Sequence, residues 1–328
     1  MMQNSTDPHP PFFTLGYGRL TSIRYFYCLL VLVGYLLNIV SNSLIIAAVI
    51  IHNSLHEPVY IFISALCVNG IFENMLVYPS IFAALLYKVQ TISYSFCWLQ
   101  AFLLHLYGCF EMTTLSAMAF DRYVCICNPL RYNNIMSLST VFKIIGGSWT
   151  YSIVAFGTHM LLTYRLPLCG TEILKIYCDN WSIVRLSCID TTVNNMFGLF
   201  IVSTFEGLLL MLIMCSYIKI LRVCARSSQA VIAKALQTCT PQLITTFNFV
   251  ASSLFDIFLY RYIPTIVPYE FRLFMSLQFL VVSPILNAFV YGLKMTDLRK
   301  KILQSFNLKR ITGNALNMQK SDVVQQRE

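Results

Sequence analysis

The chain has 328 residues, 57% of them hydrophobic and only 11% charged, with a formal net charge of +9. A soluble globular domain carries about 25% charged residues, so composition alone sets that class aside. The basic residues flank apolar blocks instead of forming a patch, which removes nucleic acid as a partner and makes the charge a sign of membrane topology.

The first 23 residues lack the basic start and short apolar core of a cleaved leader, so the first apolar block is expected to act as an uncleaved signal anchor. Asn4-Ser5-Thr6 is an N-glycosylation acceptor, and Asn180-Trp181-Ser182 is a second match. Seven apolar blocks lie near Tyr25–Ile51, Pro58–Leu86, Cys97–Phe120, Phe142–Leu162, Met196–Leu221, Leu236–Tyr260 and Phe271–Leu293. About 20 such residues cross a bilayer as a helix. Backbone groups in hydrocarbon must be satisfied internally, and the alternating segments of about ten residues that a barrel needs are absent. The expected fold is all-α, a seven-helix transmembrane bundle without internal repeat.

Of the 23 Lys and Arg residues, 15 fall on one side if residues 1–24 lie outside, residues 25–293 form the bundle and residues 294–328 form a cytoplasmic tail. The first inner loop contributes none of them. Four of the 12 cysteines, Cys97, Cys169, Cys178 and Cys188, cluster outside, where oxidation is favoured; four cysteines allow three pairings. The other eight read as small packing groups or reduced thiols. The long outer connector from Thr163 to Asn195 is expected to fold over the mouth of the bundle. In the tail, Leu298, Ile302, Leu303 and Phe306 have the spacing of a short amphipathic helix on the inner membrane face. Beyond Asn307 the composition suggests disorder.

Polar residues inside such blocks are costly and mark function by default. His105 lies eight residues past Cys97, about 12 Å into the membrane. His105, Gly108, Cys109 and Met112 share one helical face, which should look into the bundle, with Gly108 and Cys109 leaving room for a small ligand. Glu206 and Asp256 are acids within spans. Glu206 either meets a polar or cationic ligand or bonds across helices. His159 is expected to bond between helices. The pocket itself should be mainly aromatic and aliphatic, with Phe102, Phe110, Phe205, Phe255 and Tyr260 as candidates.

The third block closes on Met118-Ala119-Phe120-Asp121-Arg122-Tyr123 and continues Val124-Cys125-Ile126-Cys127-Asn128-Pro129-Leu130-Arg131-Tyr132. Leu55-His56-Glu57-Pro58-Val59-Tyr60, Ser216-Tyr217, Lys234-Ala235-Leu236-Gln237-Thr238-Cys239 and Pro284-Ile285-Leu286-Asn287-Ala288-Phe289-Val290-Tyr291-Gly292 accompany it in order. With these motifs and the triple-cysteine outer loop, the chain resembles an odorant (olfactory) receptor of the rhodopsin-like G protein-coupled class, and looks most like the fish members. Several positions depart from the family pattern. Ser41-Asn42 replaces Gly-Asn, and Gly70 stands where most rhodopsin-like receptors have an Asp, with Glu111 nearby. Gln242 stands where odorant receptors often have His, and Ala288 where Pro is usual, leaving Pro284 to kink the seventh span.

The resemblance implies a receptor without enzymatic activity or cofactor. It implies a small odorant as ligand, a heterotrimeric G protein of the stimulatory olfactory type as partner, and the plasma membrane of olfactory sensory neurons as location. It pairs Cys97 with Cys178, which leaves Cys169 for Cys188. It makes Asp121-Arg122-Tyr123 a switch in which Arg122 leaves Asp121 to meet the G protein. It also implies that Tyr217 and Tyr291 swing inward, with Asn287 in the same motif as Tyr291. Lys234, Arg222 and Arg226 would touch the G protein or anionic lipid. Arg261 borders the pocket in the family, where its fork suits an acid group; the alternative is an interfacial Arg reaching for headgroups. Ligand contact is thus expected at His105, Gly108, Cys109, Met112, Glu206 and Arg261. The rival readings lose their chemistry: Leu104 stands where amine receptors keep an Asp, and Val281 near the retinal-binding Lys of opsins. A transporter would show repeated halves, and no Gly-x-Ser-x-Gly or His-Glu-x-x-His motif supports a hydrolase.

Overall fold

The computed structural model describes residues 9–15, 23–86, 90–262 and 267–305. Seven long helices form the body: α1 (Ile23–Ile51), α2 (Pro58–Leu86), α3 (Tyr94–Cys127), α4 (Leu138–Tyr164), α5 (Thr192–Cys224), α6 (Gln229–Tyr262) and α7 (Tyr269–Leu277, continuing through Gln278–Val282 into Ser283–Lys294). Most run a turn or two past the apolar blocks, because capping and interfacial residues extend a helix beyond the hydrocarbon. Ser93 caps α3 by accepting from the Phe96 amide, and Ser137 caps α4 by accepting from Thr140. A further helix, α8, covers residues 296–305. Its Leu298 is buried in the core, Leu303 is exposed, Phe306 lies outside the described residues, and Ser305 bonds His52 of the first inner loop at 3.0 Å.

Among the described residues, five of the seven rods contain a stretch apolar enough to cross a membrane by composition alone. The exceptions are α3 and α4. Helix α3 packs against α2, α4, α5 and α6 and so sees protein on most sides. It buries Gln100, Glu111, Thr114, Asp121 and Arg122 against those neighbours, where polar partners replace lipid. The outer rods instead present Leu30, Leu37, Phe200, Met211 and Phe247 outward, as a lipid-facing surface requires.

Two of the rods contain one π-helical turn each. In α5 it spans Ser203–Gly207. In α7 it spans Gln278–Val282, just before Pro284, which cannot donate to the carbonyl four residues back. The irregularity of α7 therefore lies ahead of Pro284, and Ala288 sits in regular helix. Gly70 has a local reason as well: a Cβ there would lie 3.2 Å from the Pro284 Cβ and close to the Asn42 amide. A larger side chain at that position would push α2 off α7.

The outer end carries a feature that the amino-acid pattern did not suggest. Strand β1 (Phe12–Leu15) lies between β2 (Gln90–Ser93), antiparallel, and β3 (Glu172–Ile173), parallel. The amino-terminal segment is thus not a free leader over residues 12–15. Phe13 and Leu15 are buried with Ile92, Ile173, Met160 and Ile183 around the Cys97–Cys178 link. The second link joins Cys169 to Cys188. Together the strands and disulfides fasten the long outer connector across the bundle.

Candidate functional site

Beneath that connector is a cavity of about 150 Å³. It is partly open, and a space of that size holds a molecule on the scale of benzene. Helix α3 supplies Leu104, His105, Gly108, Cys109 and Met112, the face expected from the helical spacing. Helix α5 supplies Gly198, Ile201, Phe205 and Glu206, and α6 supplies Phe249, Ser253, Asp256 and Arg261. All six residues expected to touch ligand therefore border one space. Phe205 and Tyr260 line it too. Phe102, Phe110 and Phe255 are not among its lining residues: Phe102 stacks on Trp98, Phe110 packs tilted against Trp149, and Phe255 meets Phe271 edge to face.

The histidines are held in place by distinct partners. His105 Nδ1 donates to the Ala101 carbonyl at 2.7 Å, which leaves Nε2 as an acceptor when the ring is neutral. Its ring packs on Phe156 at 5.0 Å between centroids. His159 bonds the Asn180 side chain of the outer connector at 2.9 Å, and it also reaches the Asn194 backbone and the Phe197 ring of α5, so it links two spanning helices as well as the connector. Gly198 makes room for it, since a Cβ there would lie 3.0 Å from the His159 ring.

The roof is a buried ion cluster. Lys175 of the connector is 1% exposed. Its Nζ lies 2.5 Å from Asp256 of α6 and 2.7 Å from Asp179. The Tyr177 hydroxyl donates to Asp256 at 2.8 Å, and Ser276 of α7 donates to its other oxygen at 3.2 Å. The ammonium also sits 4.3 Å from the centre of the Tyr260 ring. Burial works against the charge on Lys175, but the two carboxylates dominate and hold its pKa well above the ordinary lysine value. Burial likewise opposes ionisation of Asp179, yet Lys175 and the Ser182 amide pull it down to about 2. Asp179 also caps the helical turn Asn180–Val184 through that amide at 2.8 Å. Sequence reasoning flagged Asp256 but not Lys175, whose only signal is a lone cation between two loop cysteines.

Arg261 stands at the mouth. Its guanidinium donates to Asn195 of α5 and lies 4.2 Å above the Trp181 ring. It is a wall that ties α5, α6 and the connector together, already engaged by neutral partners.

At the inner end, Arg122 Nε and Nη2 both donate to Asp121 Oδ2, at 2.9 and 2.5 Å. Tyr132 donates to Oδ1 at 2.8 Å. Tyr217 of α5 donates to the Gln242 carbonyl oxygen at 2.8 Å, and the Gln242 amide donates to the Leu115 carbonyl of α3 at 2.7 Å. Tyr291 pairs with Thr245 at 3.0 Å. Gln242 and Thr245 of α6 thus hold α3, α5 and α7 together in a closed arrangement. Midway, Glu111 accepts from Asn69 at 2.9 Å and from Asn287, knotting α2, α3 and α7. Tyr123 packs beneath Lys219 at 5.0 Å. Lys234 is carried by the inner part of α6, its side chain outside the described atoms, and Asn4 lies outside the described residues. No group of three His, Cys, Asp or Glu side chains among the described residues is placed to hold a metal ion.

An olfactory receptor family model matches residues 28–309. Human olfactory receptor 51I2 is 33% identical over 302 residues, covering 91% of this chain and 96% of its own length. Human olfactory receptor 52D1 is 31% identical, covering 93% and 97%. Mouse olfactory receptor 4B13 is 34% identical, covering 84% and 89%. A lidded cavity facing one side of a seven-helix bundle, and an Asp-Arg pair closing the other, are thus found in a chain that matches this family nearly from end to end: the protein belongs to the olfactory receptor family.

Proposed function

We propose that this protein is an odorant receptor of the plasma membrane of olfactory sensory neurons, with residues 1–24 outside and residues 294–328 inside. A small odorant occupies the cavity of the outer half and contacts His105, Gly108, Cys109, Met112 and Glu206, with Arg261 as the wall of its mouth. The observation that carries this reading is the convergence of those six residues on one cavity, beneath a connector held by two disulfides.

The ligand acts by binding the open bundle more tightly than the closed one, and that difference sets how far the population moves. Opening separates α6 from α3 and α5, which breaks the Gln242 bonds to Leu115 and Tyr217. Arg122 then leaves Asp121 and meets a helix of a stimulatory G protein, with Tyr123, Tyr217, Lys234, Asn287 and Tyr291 reshaping the inner surface around it. Asn4 carries the glycan that accompanies outward topology. The test is Arg122→Ala, assayed by cyclic AMP in cells supplied with the olfactory-type G protein. Signalling should vanish while surface labelling persists. Full agonist-driven cyclic AMP from that variant would overturn the switch.

A further inference from the structure

The lower half of the cavity holds an acid that no cation faces. Glu206 sits on the π-helical turn of α5, and its Oε2 is buried without a hydrogen-bond partner. Such a turn adds a residue to the helix and rotates the next turns about the axis, a device often found at binding sites. The side-chain partner of the carboxylate is Ser253 of α6, whose single hydroxyl proton is shared with the Val250 carbonyl at 3.2 Å. Cys109, Met112, Phe156, Ile201, Phe205 and Phe249 supply the surrounding wall, and none is a cation.

The cations of the cavity are elsewhere and engaged. Lys175 is held between Asp179 and Asp256 in the roof. Arg261 lies beside Gly198, 3.9 Å from where a Cβ would stand. Gly198 is two turns before Glu206, about 12 Å along the helix, out of reach of an ion pair. The walls set two cations against three acids, and Glu206 is the acid left without a cation beside it. A carboxylate in an apolar enclosure is costly until a proton or a cation neutralises it.

From this we infer that the ligand is a small amine, whose ammonium docks on Glu206 while its hydrocarbon lies among Phe156, Phe205 and Phe249. The inference rests on the odorant-receptor reading and specifies its ligand class. The ammonium donates a charge-assisted bond to the Glu206 carboxylate, and the aromatic faces add cation–π attraction. An alcohol of the same shape offers the acid a hydrogen bond without a charge. A carboxylate meets like charge. The expected order is amine, then alcohol, then acid, within skeletons small enough for about 150 Å³.

The experiment uses the full chain in cells, with surface labelling, and a panel of amines, alcohols and carboxylates matched in skeleton (pentylamine, 1-pentanol and pentanoate; benzylamine, benzyl alcohol and benzoate; and branched and cyclic sets). Amines should act at concentrations about tenfold lower than their alcohols, and Glu206→Gln should raise the amine half-maximal concentration by at least about thirtyfold while moving the alcohols little. Activation led by alcohols or carboxylates, or an equal shift for amines and alcohols in Glu206→Gln, overturns the amine assignment and leaves the odorant reading standing. Silence of the surface-expressed receptor to every member overturns the odorant reading, and the amine assignment with it.

Discussion

Replacing Lys175 by Met would strand two carboxylates at once, Asp256 buried and Asp179 partly so. The ammonium lies 2.5 Å from Asp256 and 2.7 Å from Asp179, and the Lys175–Asp256 side chains are only 2% and 6% exposed. Removing one partner of a buried pair costs about 3–5 kcal/mol. Residual partners soften this: Asp256 keeps Tyr177 and Ser276, and Asp179 keeps the Ser182 amide. The loss for Lys175→Met should therefore fall near the lower end, about 3 kcal/mol. Asp256→Asn removes one acid and leaves Lys175 paired with Asp179, which should cost less, about 1–2 kcal/mol. The double variant no longer contains the stranded acid of α6, so its loss should undercut the sum of the singles by at least about 1 kcal/mol. Denaturation of the purified receptor in micelles, run on all four proteins, measures the cycle. Additivity within about 0.5 kcal/mol would show that the roof cluster does not join the connector to α6, and would refute the reasoning.

Gln242→Leu removes two bonds that hold α6 to α3 and α5, each contributing about 1 kcal/mol, so basal cyclic AMP should rise markedly at equal surface density; an unchanged baseline would contradict the closed-state role. Gly198→Ala should lower surface expression, because the added methyl meets the His159 ring at 3.0 Å, whereas Gly108→Ala has its nearest neighbour, Phe249, at 4.0 Å and should reach the surface normally, losing response to the larger agonists first because its methyl enters the cavity; equal surface levels with an unchanged agonist order in Gly108→Ala would count against the mapped cavity. The Lys175–Asp179 link should be insensitive to pH between 5 and 8. Asp179 is depressed to about 2, so its contribution is present above the ordinary carboxylate range and is lost only as pH falls toward 2. Lys175 is raised, so its contribution is complete below the ordinary lysine value and is lost only above it. Hydrogen exchange over residues 172–185 should be flat across that window once intrinsic rates are corrected. A sharp loss of protection near pH 6 would show that another group controls the roof.

Some of this could be read from residues alone because membrane physics acts locally. A helix in lipid satisfies its own backbone, so apolar length reports each rod, and positions three, four and seven residues after His105 must share its face. What escaped depends on partners distant in sequence. Lys175 and Asp256 are 81 residues apart, and neither announces the other. Strands of two to four residues, paired across the amino terminus and two loops, are too short to show periodicity. Phe110 and Phe255 look like cavity residues by level, yet rotation about α3 and α6 turns them to Trp149 and Phe271. The engagement of Arg261 by Asn195 and Trp181 likewise requires three segments to be in place. Gln242 reads as a departure from a family habit, and only its bonds to Leu115 and Tyr217 give it a purpose.

The central claim is that a ligand in the outer cavity moves helices at the inner end. The most direct measurement reconstitutes the purified chain in vesicles with a stimulatory G protein heterotrimer and follows GTP uptake as agonist is added outside. Uptake should accelerate with agonist and stay at its resting rate in Arg122→Ala. Uptake indifferent to any ligand that demonstrably binds the chain, or equal acceleration in Arg122→Ala, would contradict the account.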